Sequence, residues 1–380
     1  MASSPEILAS PPDVPAGPGQ RQRWADNLRV LVIAVVVVWH TATAYLGGSD
    51  WYYIDRTTSK LWSAVFIPAW LTSAYALGPL FLVAGWFSAR SLAHKGAGAF
   101  ARARLLRLGI PLIAFTFLIN PLASFVGDFG RGLHPDLAGY WGGGAYAVGV
   151  MWFVAALLAF SLAYALLRRV RPPPVVRRWS GAQVMMAAAL LIAVTAFVVW
   201  RWWPPDDGST FLDLRWESWP QGAVLFALGV WAGEAGSLEA LTARPRRLGW
   251  TALAAAALFV ALAGYLEARG QLGSSLHGTG WPTMLGTVLY GIISVAFTVW
   301  FTALIRARWS GGGPLRARAG RASYATYILH PLVLTAIMVL FASLALAPEL
   351  TFLAVAAVAV PVCFLAGYGA TRVPGISKVL

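Results

Sequence analysis

Long apolar stretches separated by short polar segments recur along the whole chain after a polar start. At about 1.5 Å of rise per residue, each stretch is long enough for a helix that crosses a hydrocarbon core of about 30 Å. The pattern predicts about ten transmembrane helices, near 28–47, 62–89, 106–127, 147–167, 183–203, 219–236, 248–266, 283–305, 323–346 and 350–371. Of these, 219–236 has the weakest pattern. Pro68, Gly78 and Pro79 predict a kink or tilt in the second helix.

Basic residues are concentrated in alternate connecting segments. If the N-terminus is cytoplasmic, the segments that face inward contain most of the 29 Lys and Arg residues. Those segments are 21–29, 90–107, 168–178, 244–247, 306–321 and 372–378. Cytoplasmic loops carry such an excess in membrane proteins. The sequence therefore predicts an all-α, polytopic protein of the inner (plasma) membrane with both termini in the cytoplasm.

The composition agrees with a lipid environment. The chain of 380 residues is 58% hydrophobic and 12% charged, and its mean hydropathy is +0.66. A soluble domain has about 25% charged residues. The net charge of +14 is compatible with nucleic-acid binding, but the basic residues lie in short clusters between apolar stretches, so we expect no nucleic-acid partner. Cys363 is the only cysteine, which excludes an intramolecular disulfide and a Cys-rich metal site.

The ends of the chain predict tails. Residues 1–23 are rich in Pro, Ser, Ala and Gly and are predicted to form a disordered cytoplasmic tail. Residues 24–372 form the predicted transmembrane domain, and 373–380 a cytoplasmic C-terminal tail. A cleavable signal peptide is the alternative for the first apolar stretch, because Ala42-Thr43-Ala44 resembles a cleavage site. We favour an uncleaved first helix, since the polar lead-in is long.

The first predicted helix contains a histidine within its apolar stretch. His40 lies eleven residues after Arg29, a distance of about 16 Å and close to three helical turns, so both side chains point to one face. This face offers a cation at the cytoplasmic end and, deeper, an imidazole able to accept a proton near neutral pH. Two other interpretations stay open: Arg29 as a topology anchor, and His40 as a hydrogen-bonding partner of another helix.

A second histidine lies in the ninth predicted helix. His330 is nine residues, or about 13 Å, beyond Arg321 and is therefore at a depth similar to that of His40. Pro331 leaves a backbone carbonyl of the preceding turn without its helical donor. Two histidines at one depth predict a polar cavity, although a purely structural role for His330 is equally open. Without an intramembrane carboxylate or thiol they make a poor metal site, so we expect no metal.

Arg104 and Arg107 are one turn apart at the cytoplasmic start of the third predicted helix. Their guanidinium groups can bind the phosphates of a cofactor that arrives from the cytosol. Anchoring to anionic lipid headgroups explains them equally well.

Two patterns concern packing and the outer surface. Gly229 and Gly233 form a G-x-x-x-G pattern, which predicts a helix-packing notch. The outer segments 128–146 and 204–218 are rich in Trp, Gly and Pro, which is typical of an interfacial aromatic belt. A surface that faces carbohydrate is the alternative interpretation.

Five segments together resemble the acyltransferase-3 family of membrane O-acyltransferases. Asp26-Asn-Leu-Arg29 with His40 fits the R-x10-H pattern of that family's first helix, and the order and spacing of four further segments are similar. These segments are Pro79-Leu-Phe-Leu-Val-Ala-Gly85-Trp-Phe, Arg104-Leu-Leu-Arg107-Leu-Gly-Ile-Pro111, Trp152-Phe153 and Tyr324-Ala-Thr-Tyr-Ile-Leu-His330-Pro331. The resemblance covers roughly residues 24–371, and the family usually has ten helices.

The resemblance implies transfer of an acyl group, acetyl as the first expectation, from cytosolic acyl-CoA to a hydroxyl of a glycan or another envelope or secondary-metabolite acceptor. Arg29, Arg104 and Arg107 would bind the CoA phosphates. His40 would be the general base and His330 a second catalytic residue. The orienting group of His40 and the donors to the thioester oxygen are not identified in the sequence. The rival prediction is a transporter or flippase for a lipid-linked sugar or small molecule, with proton-relaying histidines.

Overall fold

The computed structural model describes residues 22–45, 51–54, 76–134, 136–142, 146–171, 179–205, 211–235, 238–273, 278–344 and 346–376. Within these residues the chain is helical and contains no strand. In the described part of the chain, eight helices are long and apolar enough to cross a membrane. The prediction of an all-α, polytopic membrane protein is therefore confirmed. Residues 1–21 of the predicted tail and residues 62–75, the start of the second predicted helix, lie outside the described residues.

The first helix, α1, is Arg23–Tyr45. The next helical run, Gly78–Gly130, is 53 residues long and is interrupted at Gly96, whose φ of 74° and ψ of 163° are not helical. Positive φ is readily available only to glycine. Gly96 thus divides the run into two arms, 78–95 (α2) and 97–130 (α3), which correspond to the second and third predicted helices.

The prediction of a loop over 90–107 is therefore wrong: both arms continue through most of it, because one glycine is enough to make the turn. His94, predicted to lie in that loop, is on α2. Ala76 is helical, Leu77 forms a turn, and Gly78 and Pro79 lie in the first turn of α2, so the helix is interrupted where the kink is predicted; Pro68 lies outside the described residues. A proline is well tolerated in the first turn of a helix, since that turn has no helical acceptor for its N–H.

Helix α3 is not a uniform α-helix. Two π-helical turns, Leu105–Gly109 and Phe115–Ile119, alternate with the α-helical parts Ile110–Ala114 and Asn120–Gly130. Pro111 and Pro121 follow these turns, and neither can donate to the carbonyl four residues earlier. The carbonyl of Arg107 accepts a hydrogen bond from the Tyr324 hydroxyl at 3.0 Å instead.

Seven further long helices complete the described fold. They are Trp152–Val170 (α4), Gly181–Val199 (α5), Trp219–Glu234 (α6), Pro245–Ala268 (α7), Trp281–Arg308 (α8), Pro314–Phe341 (α9) and Pro348–Ala370 (α10). Helix α6 has 16 residues and is the short one, in line with its weak sequence pattern. Short helices at Leu137–Gly142 and Leu238–Thr242 and 3-10 turns at Gly149–Met151, Phe211–Asp213 and Trp216–Ser218 lie between them.

Helices α2 and α6 pack with their backbones in contact. A Cβ on Gly85 would lie 2.0 Å from the carbonyl oxygen of Phe226, and a Cβ on Gly229 would lie 1.9 Å from that of Leu82. A Cβ on Gly233 would lie 2.7 Å from the Cβ of Ala89. Small residues allow this close approach in lipid, where packing rather than hydrophobicity drives helix association. The predicted packing notch at Gly229 and Gly233 is confirmed.

Helix α9 contacts α1, the Asn120–Gly130 part of α3, and α10. Its buried residues include Ser323, Thr326, His330 and Thr335, an unusually polar set for the centre of a membrane bundle. Polar groups at this depth are expensive, so they face protein or a cavity rather than lipid. The contact between α1 and α9 brings the two predicted histidines onto facing helices.

Candidate active site

His40 and His330 form a histidine pair. Their ring centroids are 5.4 Å apart and the ring planes differ by 25°. His330 is fully buried, and His40 is half-buried five residues before the end of α1. The two residues are 290 positions apart in the chain and meet because α1 and α9 pack together. The depth expected for His330 from its distance to Arg321 agrees with this arrangement.

One nitrogen of His330 is held by its own helix. Its Nδ1 lies 2.7 Å from the carbonyl oxygen of Tyr327. This is the carbonyl that Pro331, four residues later, cannot satisfy because proline has no N–H. A carbonyl oxygen only accepts, so Nδ1 carries the proton. In a neutral imidazole the other nitrogen, Nε2, then carries the lone pair.

Trp51 covers the histidine pair. Its ring centroid is 4.3 Å from that of His40 and 6.0 Å from that of His330, and its side chain is 7% exposed. The neighbouring Tyr52 donates a hydrogen bond of 2.5 Å to Oδ1 of Asn120 on α3. Trp51 is thus fixed above the two imidazoles by a neighbour that is attached to a third helix.

Two buried polar atoms in this group have no hydrogen-bond partner among the described residues. One is Nε2 of His330 and the other is Nε1 of Trp51. The first is an acceptor and the second a donor. Buried polar groups are nearly always paired in proteins, so two unpaired groups of opposite kind at one place mark a candidate site for ligand binding or catalysis.

The segment 211–218 approaches the histidine pair from the tryptophan-rich side. Arg215 lies near enough to His40, and Asp213 near enough to Tyr52, to act electrostatically on them. Both residues, with Leu212, have positive φ between 53° and 57°. Such backbone is costly outside glycine and clusters at functional sites. Burial and the charge of Asp213 together raise the pKa of Tyr52.

Glu217 is the buried carboxyl of that segment. Its side chain is 8% exposed, and Oε2 has no hydrogen-bond partner among the described residues. Burial raises its pKa to about 7, against the opposing effect of Arg215. Its backbone oxygen accepts a hydrogen bond of 3.3 Å from the indole of Trp200. A carboxyl therefore lies in the segment that the sequence predicts to be an outer aromatic belt.

The three predicted phosphate-binding arginines form an arginine cluster at the other end of α1. Arg29 and Arg107 are near enough to Arg104 to act electrostatically on its guanidinium. Arg104 also donates to Oγ of Ser88 at 2.9 Å. Arg29 forms an ion pair with Asp26 at 3.1 Å and has a half-exposed side chain. Three cations held near one another attract anions.

Helix α9 connects the arginine cluster to the histidine pair. Tyr324 binds the Arg107 carbonyl, the Tyr327 hydroxyl binds the carbonyl of Val150, and His330 follows at the same three-residue spacing. On α1, Arg29 of the arginine cluster and His40 of the histidine pair are separated by about 16 Å. A ligand with an anionic head at the arginines would have to span this distance to bring its far end to the imidazoles.

The structure adds residues that the sequence did not single out. Trp51 follows α1 by six residues, and Glu217 lies among tryptophans; neither position has a pattern that marks it. The Tyr327 carbonyl was predictable, since it is four residues before Pro331. Among the described residues, no group of three or more His, Cys, Asp or Glu is arranged to bind a metal.

A model of the acyltransferase domain of the acyltransferase-3 family matches residues 22–368. The chain therefore belongs to this family and is a membrane acyltransferase. No match was found among curated proteins or among solved structures.

Proposed function

We propose that the chain transfers an acyl group, acetyl in the first instance, from cytosolic acyl-CoA to a hydroxyl at the histidine pair. The observation that carries the proposal is that two imidazoles meet at one depth, 5.4 Å apart, on helices that also reach the arginine cluster. An imidazole is the side chain best suited to accept a hydroxyl proton near neutral pH. The family's R-x10-H pattern favours His40 as the general base.

The arginine cluster supports a phosphorylated donor. Arginine binds phosphate oxygens with parallel hydrogen bonds, and Arg29, Arg104 and Arg107 lie at the end of the fold that the charge pattern predicts to be cytoplasmic. The CoA phosphates would bind there, and the pantetheine arm would extend along α1 and α9 until the thioester reaches His40.

The acceptor would approach from the opposite, tryptophan-rich side. Trp216 and Trp219 pack with centroids 4.5 Å apart near the buried carboxyl of Glu217. Aromatic faces and carboxylates suit the apolar faces and hydroxyls of a sugar, so we propose a glycan or a related envelope or secondary-metabolite acceptor. The same proposal has both termini in the cytoplasm, and we propose the inner (plasma) membrane as the location.

The test is release of CoA from labelled acetyl-CoA by the purified full-length protein in detergent. We expect release that depends on an added hydroxyl acceptor, drawn from a panel of glycerol, glucose and N-acetylglucosamine and from a carbohydrate extract of the producing cells. Label must appear on the acceptor as an ester. A folded protein that binds an acceptor yet releases no CoA and forms no ester would favour the rival transporter and contradict the proposal.

A further inference from the structure

The histidine pair and the tryptophan that covers it contain one unpaired acceptor and one unpaired donor. The proposed function gives neither atom a role. Nε2 of His330 and Nε1 of Trp51 are buried without partners among the described residues, and their rings are 6.0 Å apart with His40 beside both. The reacting groups of an acyl transfer are a hydroxyl, which donates one hydrogen bond, and a thioester carbonyl, which accepts one. The unpaired acceptor and donor of the protein therefore match the donor and acceptor of the two substrates.

We propose that Nε2 of His330 accepts the proton of the acceptor hydroxyl and that Nε1–H of Trp51 donates to the thioester oxygen. This inference rests on the proposed function and refines it, because it assigns the base to His330 instead of His40. It also names the oxyanion donor that the sequence left open.

The assignment to His330 follows from its fixed tautomer. A histidine that acts as a general base needs one nitrogen with an unshared lone pair and a second nitrogen held by an acceptor. His330 has both, since its Nδ1–H is bound to the Tyr327 carbonyl and its Nε2 is left with the lone pair. Pro331 is what makes that carbonyl available. The backbone oxygen of His40 accepts a hydrogen bond from Thr43, but no hydrogen bond within the described part of the chain fixes the His40 ring.

The assignment to Trp51 follows from its donor-only indole. An indole N–H donates and cannot accept, so the partner that suits it is an acceptor oxygen. Its position is fixed by the stack on His40 and by the bond from Tyr52 to Asn120. A donor held in place before the reaction stabilises the developing oxyanion without reorganising.

The step balances with these two residues. The hydroxyl oxygen bonds to the thioester carbon while its proton moves to Nε2 of His330, and the carbonyl oxygen becomes an oxyanion that is hydrogen-bonded to Trp51. The carbonyl then re-forms, the carbon–sulfur bond breaks, and the CoA sulfur takes the proton from His330. The products are an ester and free CoA. His40 serves as a positioning residue that supports the indole.

The pH profile of kcat/KM distinguishes the two histidines, since its acidic limb reports the free base. We expect the limb to remain in His40→Gln and to be lost in His330→Gln, with acetyl-CoA and the acceptor identified by CoA release as substrates. Loss of the limb in His40→Gln and its retention in His330→Gln would overturn the assignment.

Trp51→Phe should lower kcat by about 10²–10³ with an unchanged KM for acetyl-CoA. A kcat equal to that of the exposed control Trp250→Phe would refute the oxyanion role.

The tautomer has a readout that is independent of activity. In protein labelled with ¹⁵N-histidine, we expect one histidine with a protonated Nδ1 and an unprotonated Nε2, and this signal should change in Pro331→Ala, where the new N–H competes for the Tyr327 carbonyl. Pro361 lies inside α10 as Pro331 lies inside α9. Pro361→Ala is therefore the matched control and should leave the histidine signal unchanged. An unchanged signal in Pro331→Ala would refute the mechanism of orientation, whereas acyl transfer by the wild type would still support the proposed function.

Discussion

The hydroxyl of Tyr324 donates a hydrogen bond to the backbone oxygen of Arg107, four residues before Pro111. The same relationship recurs twice. The indole of Trp141 donates to the Phe117 carbonyl, four residues before Pro121, at 2.7 Å, and His330 donates to the Tyr327 carbonyl, four residues before Pro331. Prolines inside membrane helices are tolerated when side chains satisfy the carbonyls they release. In this protein two of those bonds involve residues of the candidate site.

His40→Ala should reduce acyl transfer by at least about 10²-fold and leave the fold intact. His40 is half-buried, and its ring contacts both Trp51 and His330, so its removal disturbs every proposed participant. Turnover of acetyl-CoA measures the loss, and thermal unfolding in detergent checks the fold. His94→Ala, an exposed histidine on α2, is the control and should have normal turnover. Normal turnover by folded His40→Ala would exclude this residue from the site.

Arg107→Ala and Arg104→Ala should raise the KM for acetyl-CoA about 10-fold to 100-fold with a smaller effect on kcat. A hydrogen bond to a charged group contributes about 1.5–3 kcal/mol, and the effect falls on donor binding rather than on chemistry. Arg102→Ala, an exposed arginine on the same helix, is the control. If Arg104→Ala and Arg107→Ala have the same KM as Arg102→Ala, the arginines are topology anchors.

Gly229→Ala should destabilise the protein by about 1–3 kcal/mol or more. The new Cβ would overlap the backbone oxygen of Leu82, which cannot move aside as a flexible side chain does. Thermal unfolding in detergent measures the change. Gly264→Ala on α7 is the matched control, since a Cβ at that position would meet no neighbouring atom within 4 Å. Equal melting temperatures for the two variants would show that α2 and α6 are not in backbone contact.

Glu217 should make stability depend on pH. Its usual pKa of 4.5 is raised by burial to about 7 in the folded protein. The folded state therefore holds the proton more tightly between those values, and stability falls as the pH rises through this window. Glu217→Gln removes the ionisation. We expect wild type and variant to differ more in melting temperature at pH 8 than at pH 4.5, with the variant the more stable at pH 8. The same difference at both pH values would contradict a raised pKa.

Much of the fold follows from the sequence because each helix must supply its own apolar length and hydrogen bonds in lipid. The stretches 183–203 and 350–371 correspond closely to Gly181–Val199 and Pro348–Ala370. The turn between α2 and α3 is predicted from the sequence as a long polar loop, since charge and polarity do not distinguish an exposed helix end from a loop. Only the backbone geometry at Gly96 reveals where the turn lies.

The candidate site is partly predictable. His40 and His330 are conspicuous because ionisable residues inside apolar stretches are rare. Trp51 and Glu217 are not, since tryptophan and glutamate near a membrane surface are ordinary, and their burial depends on how non-helical segments fold over the bundle. The tautomer of His330 depends on a rotamer as well as on Pro331, and a sequence pattern predicts only the second.

Reconstituted liposomes offer the most direct test of the central claim, that acyl-CoA bound at the arginine cluster acylates a hydroxyl at the histidine pair. Radiolabelled acetyl-CoA is supplied outside vesicles whose protein has its arginine-rich face outward, and the acceptor is enclosed within. The account predicts one ester formed inside for each CoA released outside, and at least about 10²-fold less ester with His330→Gln or His40→Ala. Acceptor that crosses the membrane unmodified, or ester formation at the wild-type rate in both variants, would contradict it.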